Sequence, residues 1–380
     1  MPTSAGEKLV VGVPRETKEG EHRVAITPDG VHELSAHGVT VLVEAGAGAD
    51  SAITDDDFKG AGASIVESGP EIWARADMVV KVKEPQGDEL AMLRPGLVLF
   101  TYLHLAAYPE VADALLEHKV TGIAYETVQT DDRALPLLAP MSEVAGRMAT
   151  QVGARFLERE LGGRGVLLGG VPGVRPARVV VLGAGNVGWN SAWIAQGMEA
   201  EVLLLDKNLD RLRWVDQIHQ GRIVTLASNR GAVARAIADA DLVIGAVLVP
   251  AGRAPVVVSE AMVRTMKRGA VIVDVAVDQG GCIETTHETT HADPVYEKHG
   301  VVHYAVGNMP GAVPFTSTYA LTNATLPYTL DLAVNGVQSA VAGDDALALG
   351  VNTVGGDVTH PIVAEALSRP TRALSEALAA

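Results

Sequence analysis

The chain has 380 residues, 48% of them hydrophobic, with a net charge of -16 and a pI near 5.1. That length exceeds one ordinary core, so two domains are expected. The acidic total argues against a nucleic-acid partner, which needs a basic face, and the single cysteine, Cys282, rules out an internal disulfide or a metal site built on cysteines.

The chain opens with MPTSAGEKLVVGVPRE, which lacks the long apolar segment of a signal peptide. No run approaches the roughly 18 apolar residues of a membrane span, so a soluble, cytoplasmic protein without a membrane partner is expected. KLVVGVP reads as a strand, PDGVHELSAHG as a helix stopped at Gly38, and VTVLVEAG as a second strand. DDDFKGAGA is a short helix with an acidic start. DMVVKVKEP, GLVLFTYLHL and VTGIAYET are three further apolar runs. Strands separated by helices imply βαβ units and a mainly parallel sheet. APMSEVAGRMATQVGARFLERELGG has helical apolar spacing, and the Gly-rich GGRGVLLGGVPGVRP reads as a loop. A second alternation follows in ARVVVLGAGNVG, AEVLLLDKN, GRIVTLA, ADLVIGAVLVP and GAVIVDVAVD. TSTYALTNATLPYTLDLA is helical, and a polar tail closes the chain.

VVVLGAGNVG carries the strongest local signal. Gly183, Gly185 and Gly188 form G-x-G-x-x-G between an apolar strand and a helix that starts near Val187. The first glycine permits the tight turn, the second admits a pyrophosphate to the backbone, and the third lets helix and strand pack closely. Asp206 ends the next strand, 18 residues after Gly188. A carboxylate there binds ribose hydroxyls and repels a 2′-phosphate, so NAD is favoured over NADP. FAD fits less well, because this fingerprint lies mid-chain.

Five further charged residues stand out, and three of them, Lys83, His104 and Asp278, fall near the carboxyl ends of strands, where a ligand crevice forms in open α/β sheets. Arg23 interrupts EHRVAITP and suits a carboxylate clamp. Lys81 and Lys83 share one face by their i, i+2 spacing. Either could place a point charge in a site or simply extend to solvent. His104 lies near the end of FTYLHLA, residues 100 to 106, which reads as a buried β-strand. A lone histidine in such a stretch is more often a satisfied core residue than a proton carrier, and the stretch alone leaves both readings open. Asp278 falls in the matching place in the second alternation. An Arg, a Lys, a His and an Asp in a crevice beside a nicotinamide are parts for handling a small 2-oxo acid.

Longer motifs resemble one family over nearly the whole chain: VGVPRETKEGEHRVAITP, DMVVKVKEP, FTYLHLA, YETVQT, LPLLAPMSEVAGRMA, GGRGVLLGGVPGV, GAGNVG, VIGAVLVP, VDVAVDQGGCIE and NMPGAVPFTSTYALTNATLPY. The chain resembles bacterial L-alanine dehydrogenases, and less closely the NAD-binding subunit of proton-translocating transhydrogenase. The resemblance implies reversible NAD-dependent deamination of L-alanine to pyruvate and ammonium. It implies that Arg23 and Lys83 hold the substrate carboxylate and carbonyl oxygen, that His104 is the acid/base group, and that Asp278 moves protons for water and ammonia. It implies an NAD site lined by Ser142, Gly183, Gly185, Asn186, Val187, Gly188, Asp206, Arg211, Ser228, Val247, Leu248, Val275, Asp278, Val306, Asn308 and Met309. The family usually has lysine where Arg211 stands. Some members bind magnesium through an acid and a histidine on a late helix. The matching positions here are Asp331 and Asn335, so no metal is expected. A homohexamer is also implied.

The fold expected is two Rossmann-like α/β domains. An NAD domain, 137–312, is inserted into a substrate domain formed by both chain ends, 1–136 and 313–380. The alternatives are a transhydrogenase-like NAD(H)-binding subunit and an NAD-binding regulator without catalysis.

Overall fold

Short, mostly Val-rich runs of two to six residues become the strands. In the computed structural model, which describes residues 9–247 and 254–379, six open the chain: β1 (Val10–Val13), β2 (Thr40–Glu44), β3 (Ser64–Val66), β4 (Met78–Val80), β5 (Val98–Thr101) and β6 (Thr121–Ala124). Seven follow mid-chain: β7 (Arg178–Leu182), β8 (Glu201–Asp206), β9 (Val224–Ala227), β10 (Leu242–Gly245), β11 (Val271–Asp274), β12 (Val295–Lys298) and β13 (Val301–Tyr304). Near the C-terminus come β14 (Val351–Val354) and β15 (Asp357–Val358). The chain divides into two units, Met1–Met141 with Gly311–Ala380, and Ser142–Pro310.

The first unit holds an eight-stranded sheet in the order β15-β14-β6-β5-β4-β1-β2-β3. β1 to β6 run parallel, while β14 and β15 join antiparallel. Local chemistry sets the helix starts. Thr27 caps the helix Pro28–Ala36, and Thr54 with Asp57 forms a capping box on Asp55–Ala61. The polar tail foreseen from the sequence is corrected here. Val351–Val354 is fully buried and extends the sheet, turning into β15 through Gly355 and Gly356 at φ 63° and 102°. Two adjacent positive-φ residues are what a tight hairpin requires.

The second unit holds a seven-stranded sheet in the order β12-β13-β11-β10-β7-β8-β9. Only the edge strand β12 is antiparallel. Both sheets therefore wind outward in two directions from a central pair, β1/β4 in one and β7/β10 in the other. Ligands bind at the carboxyl ends of strands beside such a reversal.

The turn after β7 shows why glycine is needed there. Gly183 has φ 104°, and a Cβ on it would lie 2.5 Å from the Ala246 carbonyl oxygen. A Cβ on Gly188 would lie 1.7 Å from the Gly183 carbonyl oxygen, a distance no side chain occupies. Gly188→Ala is therefore expected to force the helix Asn186–Gly197 off the sheet and to destabilise the protein by about 1–3 kcal/mol. Urea unfolding measures this, and an unchanged midpoint would contradict the close packing.

Candidate active site

The carboxyl ends of β1, β4, β5 and β6 carry a dense set of charges. After β1 come Glu16, Lys18, Glu21 and Arg23. After β4 come Lys81, Lys83 and Glu84. After β5 comes His104, and after β6 Glu126.

Lys81 does not extend to solvent, and it does not share a role with Lys83. The strand ends at Val80, so the alternation expected of the two lysines lapses there. Lys81 is fully buried and paired with Glu89 at 2.9 Å and Glu16 at 3.3 Å. Glu16 also accepts the backbone N–H of Val82 at 2.6 Å and of Lys83 at 3.4 Å. This buried triad holds the backbone from which Lys83 projects.

Arg23 is buried as well, and it already has a carboxylate. Glu21 accepts from its Nε at 2.6 Å and from its Nη2. The clamp expected of Arg23 is thus confined to the opposite edge of the fork, where Nη1 meets the Met141 sulfur, a weak acceptor. Burial works to raise Glu21, but the Arg23 guanidinium and then Lys83 override it and hold the carboxyl at about 2.

Lys18 pairs with Glu84, which is wholly buried. Burial works to raise Glu84 also. His104 and Lys18 outweigh it and bring the carboxyl to about 2. Lys83 is left. Its ammonium lies 5.9 Å from the centre of the Tyr102 ring and makes no ion pair among the described residues. Burial, then the charge of Arg23, and less strongly that of Lys18, push its pKa down despite Glu21 and Glu84. A half-buried cation in such a place favours an anion or a polarised carbonyl oxygen.

His104 lies three residues beyond the end of β5, in a turn and not within the strand foreseen for FTYLHLA. Its φ is 46°, unusual for a residue with a Cβ. Glu126 holds this turn, accepting the backbone N–H of His104 at 2.6 Å and of Leu103 at 3.2 Å. The imidazole is about one-third exposed and stacks on Tyr102, with ring centres 5.6 Å apart. It is neither a core residue nor a strand residue. The acids of this cluster were missed in the sequence. The signal available was the mixture of charges in PRETKEGEHR and KVKEP, directly after strands too apolar to face water.

In the second unit, the remaining expected residues follow the parallel strands one by one. Gly183 follows β7, Asp206 ends β8, and Ser228 follows β9. Val247 follows β10, Val275 and Asp278 follow β11, and Val306, Asn308 and Met309 follow β13. Leu248 lies outside the described residues. Ser142 stands one turn before Gly146 in the helix Ala139–Phe156. A Cβ on Gly146 would lie 2.3 Å from the Val187 carbonyl oxygen, so this helix packs directly on the one that starts with Asn186 and Val187. Asp278 is exposed in the turn Val277–Gln279.

This loop fits a dinucleotide. Gly185 is the N-cap of its helix and offers no side-chain cap, so backbone N–H groups at the helix start remain for an anion. Among the described residues, the atom near the place of a Gly185 Cβ is Nη1 of Arg211, 3.7 Å away. Asp206 accepts the N–H of Ala184 at 2.5 Å and of Asn208 at 2.7 Å. A carboxylate has further lone pairs for ribose hydroxyls. Cys282 is fully buried, and burial followed by the charge of Asp274 pushes its thiol well up, which disfavours a nucleophile. On the late helix, the Asn335 amide donates to Asp331 at 2.6 Å.

Two family models match in sequence, the second running past Pro310 into the part of the chain that returns to the first unit. Residues 12–145 match "Alanine dehydrogenase/PNT, N-terminal domain", and residues 149–361 match "Alanine dehydrogenase/PNT, C-terminal domain". The chain belongs to the alanine dehydrogenase/PNT family. Within it, an alanine dehydrogenase of Methanococcus maripaludis is 54% identical over 97% of this chain and 100% of its own length. A solved L-alanine dehydrogenase is 50% identical with a TM-score of 0.92, covering 95% of this chain and 99% of its own. A transhydrogenase from Sinorhizobium meliloti is similar at 27% identity and a TM-score of 0.79, covering 93% of this chain and 99% of its own.

Lys81→Met leaves Glu16 and Glu89 as buried carboxylates without their shared cation. This is expected to destabilise the protein by about 3–5 kcal/mol near neutral pH. Burial already raises Glu16, so the folded variant takes up protons more readily than the unfolded chain. The deficit should shrink as pH falls. Chemical denaturation at neutral and acidic pH measures both, and a deficit independent of pH would contradict the triad.

Proposed function

We propose that this protein interconverts L-alanine with pyruvate and ammonium, using NAD. The observation that carries the reading is the half-buried Lys83 ammonium, unpaired among the described residues and grouped with Arg23 and His104 at the β1/β4 reversal. The identity to alanine dehydrogenases supports it, being about twice that to the transhydrogenase.

Lys83 holds the carbonyl oxygen of pyruvate or the carboxylate of alanine, supplying the charge that the cluster leaves unbalanced. Arg23 takes the carboxylate with the Nη1 edge of its fork, while Glu21 fixes the other edge. The substrate domain of this reading is 1–136 with 313–380, and the NAD domain is 137–312. NAD, held by the glycine loop, Ser142, Asp206, Arg211, Ser228, Val247, Val275 and the run Val306–Met309, supplies the hydride acceptor when bound. His104 takes the proton that alanine's ammonium must lose before oxidation. It then moves protons as water adds to the substrate iminium and as the carbinolamine collapses. Asp278 is the second proton-transfer group, serving water and ammonia. A histidine suits these steps because its charge changes near neutral pH. The reading includes a cytoplasmic homohexamer, as the family resemblance implies.

The test is NADH oxidation on adding pyruvate and ammonium, with each omitted in turn. Turnover is expected only with both present. His104→Ala should lower turnover by at least about 10²-fold, the usual contribution of positioned acid/base catalysis, and leave NADH binding intact. NADH that binds but is never oxidised would move the reading to a transhydrogenase-like subunit.

A further inference from the structure

Glu84 has a feature that the proposed roles leave unused. A carboxylate this deeply buried needs partners for both oxygens. Its Oε1 has two, the Lys18 ammonium and the Gln86 side-chain amide at 3.0 Å. Its Oε2 is buried and has no hydrogen-bond partner among the described residues. That oxygen stands 3.8 Å from Nδ1 of His104. A movement of about 1 Å brings the pair to normal hydrogen-bond distance. Catalytic hydrogen bonds are often long before substrate arrives.

The rest of the ring's surroundings are already fixed. Glu126 holds the backbone of residues 103 and 104, and Tyr102 covers one face of the imidazole. The other charges of this cluster are Lys81 and Lys83 on the Glu84 segment and Glu16, Lys18, Glu21 and Arg23 on the segment after β1, with Lys81 and Glu16 paired to each other.

We infer that Glu84 is a positioning residue, accepting a hydrogen bond from Nδ1–H of His104 and so leaving Nε2 as the nitrogen that exchanges protons with substrate. This rests on His104 being the proton carrier of the proposed reaction. Lys18 has a part in it, because its ion pair keeps Glu84 an anion and occupies the oxygen that faces away from the ring.

Glu84→Gln tests this sharply. A glutamine has one acceptor oxygen, and Lys18 and Gln86 both claim it. The amide NH₂ group then faces Nδ1 as a donor, which demands the opposite tautomer. The same logic explains the large loss seen when the aspartate of a serine-protease triad becomes asparagine.

The experiment is ¹⁵N NMR of histidine-labelled full-length protein at a pH where the imidazole is neutral. The His104 signals are assigned by their absence in His104→Gln. The wild type should carry its proton on Nδ1 and Glu84→Gln on Nε2. The variant's kcat should fall by about 10²-fold or more, with its NADH dissociation constant unchanged. A wild type protonated on Nε2 overturns the inference whether or not Glu84→Gln folds. So does a Glu84→Gln protein with unchanged tautomer and kcat. If His104→Gln keeps full turnover, the reading of His104 itself fails and the inference falls with it.

Discussion

A cluster of four buried or half-buried cations at the carboxyl ends of β1 and β4 is the constraint that organises the first unit. Taking a charge out of water is unfavourable unless it is paired and hydrogen-bonded. Three of the four are matched: Lys81 by Glu16 and Glu89, Arg23 by Glu21, and Lys18 by Glu84. Lys83 has no such match among the described residues. Burial and the charges of Arg23 and Lys18 make its charge harder to hold, and on the proposed reading a substrate carboxylate or carbonyl oxygen is what answers it. The pairs with Arg23 and Lys18 also hold Glu21 and Glu84 at about 2, well below the ordinary carboxylate range.

The two sheets use one topological device for different chemistry. Each reverses direction at a central strand pair, and each gathers its candidate residues on the loops that follow parallel strands. After β1, β4 and β5 those loops carry charge. After β7 the loop carries glycine, because backbone must approach backbone where Gly183 meets Ala246, the residue after β10, and where Gly188 meets Gly183. A phosphate is bound by peptide N–H groups and a helix start, whereas a 2-oxo acid needs side chains that can move protons. The sequences of the loops differ accordingly while the sheet order does not.

Much of this could be read in the sequence. The parallel strands announce themselves as apolar runs because both faces are buried. The glycine fingerprint is legible because its spacing is imposed by backbone contacts. Two hairpins were not legible by hydrophobic pattern. β12–β13 turns at His299 and Gly300, and β14–β15 at Gly355 and Gly356, all with positive φ. Their strands are short, and the turn residues were the better signal. The fate of the charges was also hidden. Whether Lys81 is buried or solvated depends on Glu16 and Glu89, the first of them many residues distant in the chain. The bland and catalytic readings of His104 differ by where the strand stops, at Thr101, and by a left-handed turn that an acid 22 residues later holds in place.

The central claim is that Lys83 is the charge the substrate completes, separate from the groups that hold the dinucleotide. The most direct measurement compares Lys83→Met with the wild type, reading NADH affinity by fluorescence titration and kcat/KM for pyruvate at saturating ammonium. Methionine keeps most of the side chain's length and flexibility and removes the ammonium group, with its charge and its hydrogen-bond donors. The account predicts unchanged NADH binding and a drop in kcat/KM of about 10²-fold or more, the scale expected when a buried site is deprived of a charge-assisted hydrogen bond. A variant that turns over pyruvate like the wild type would contradict it.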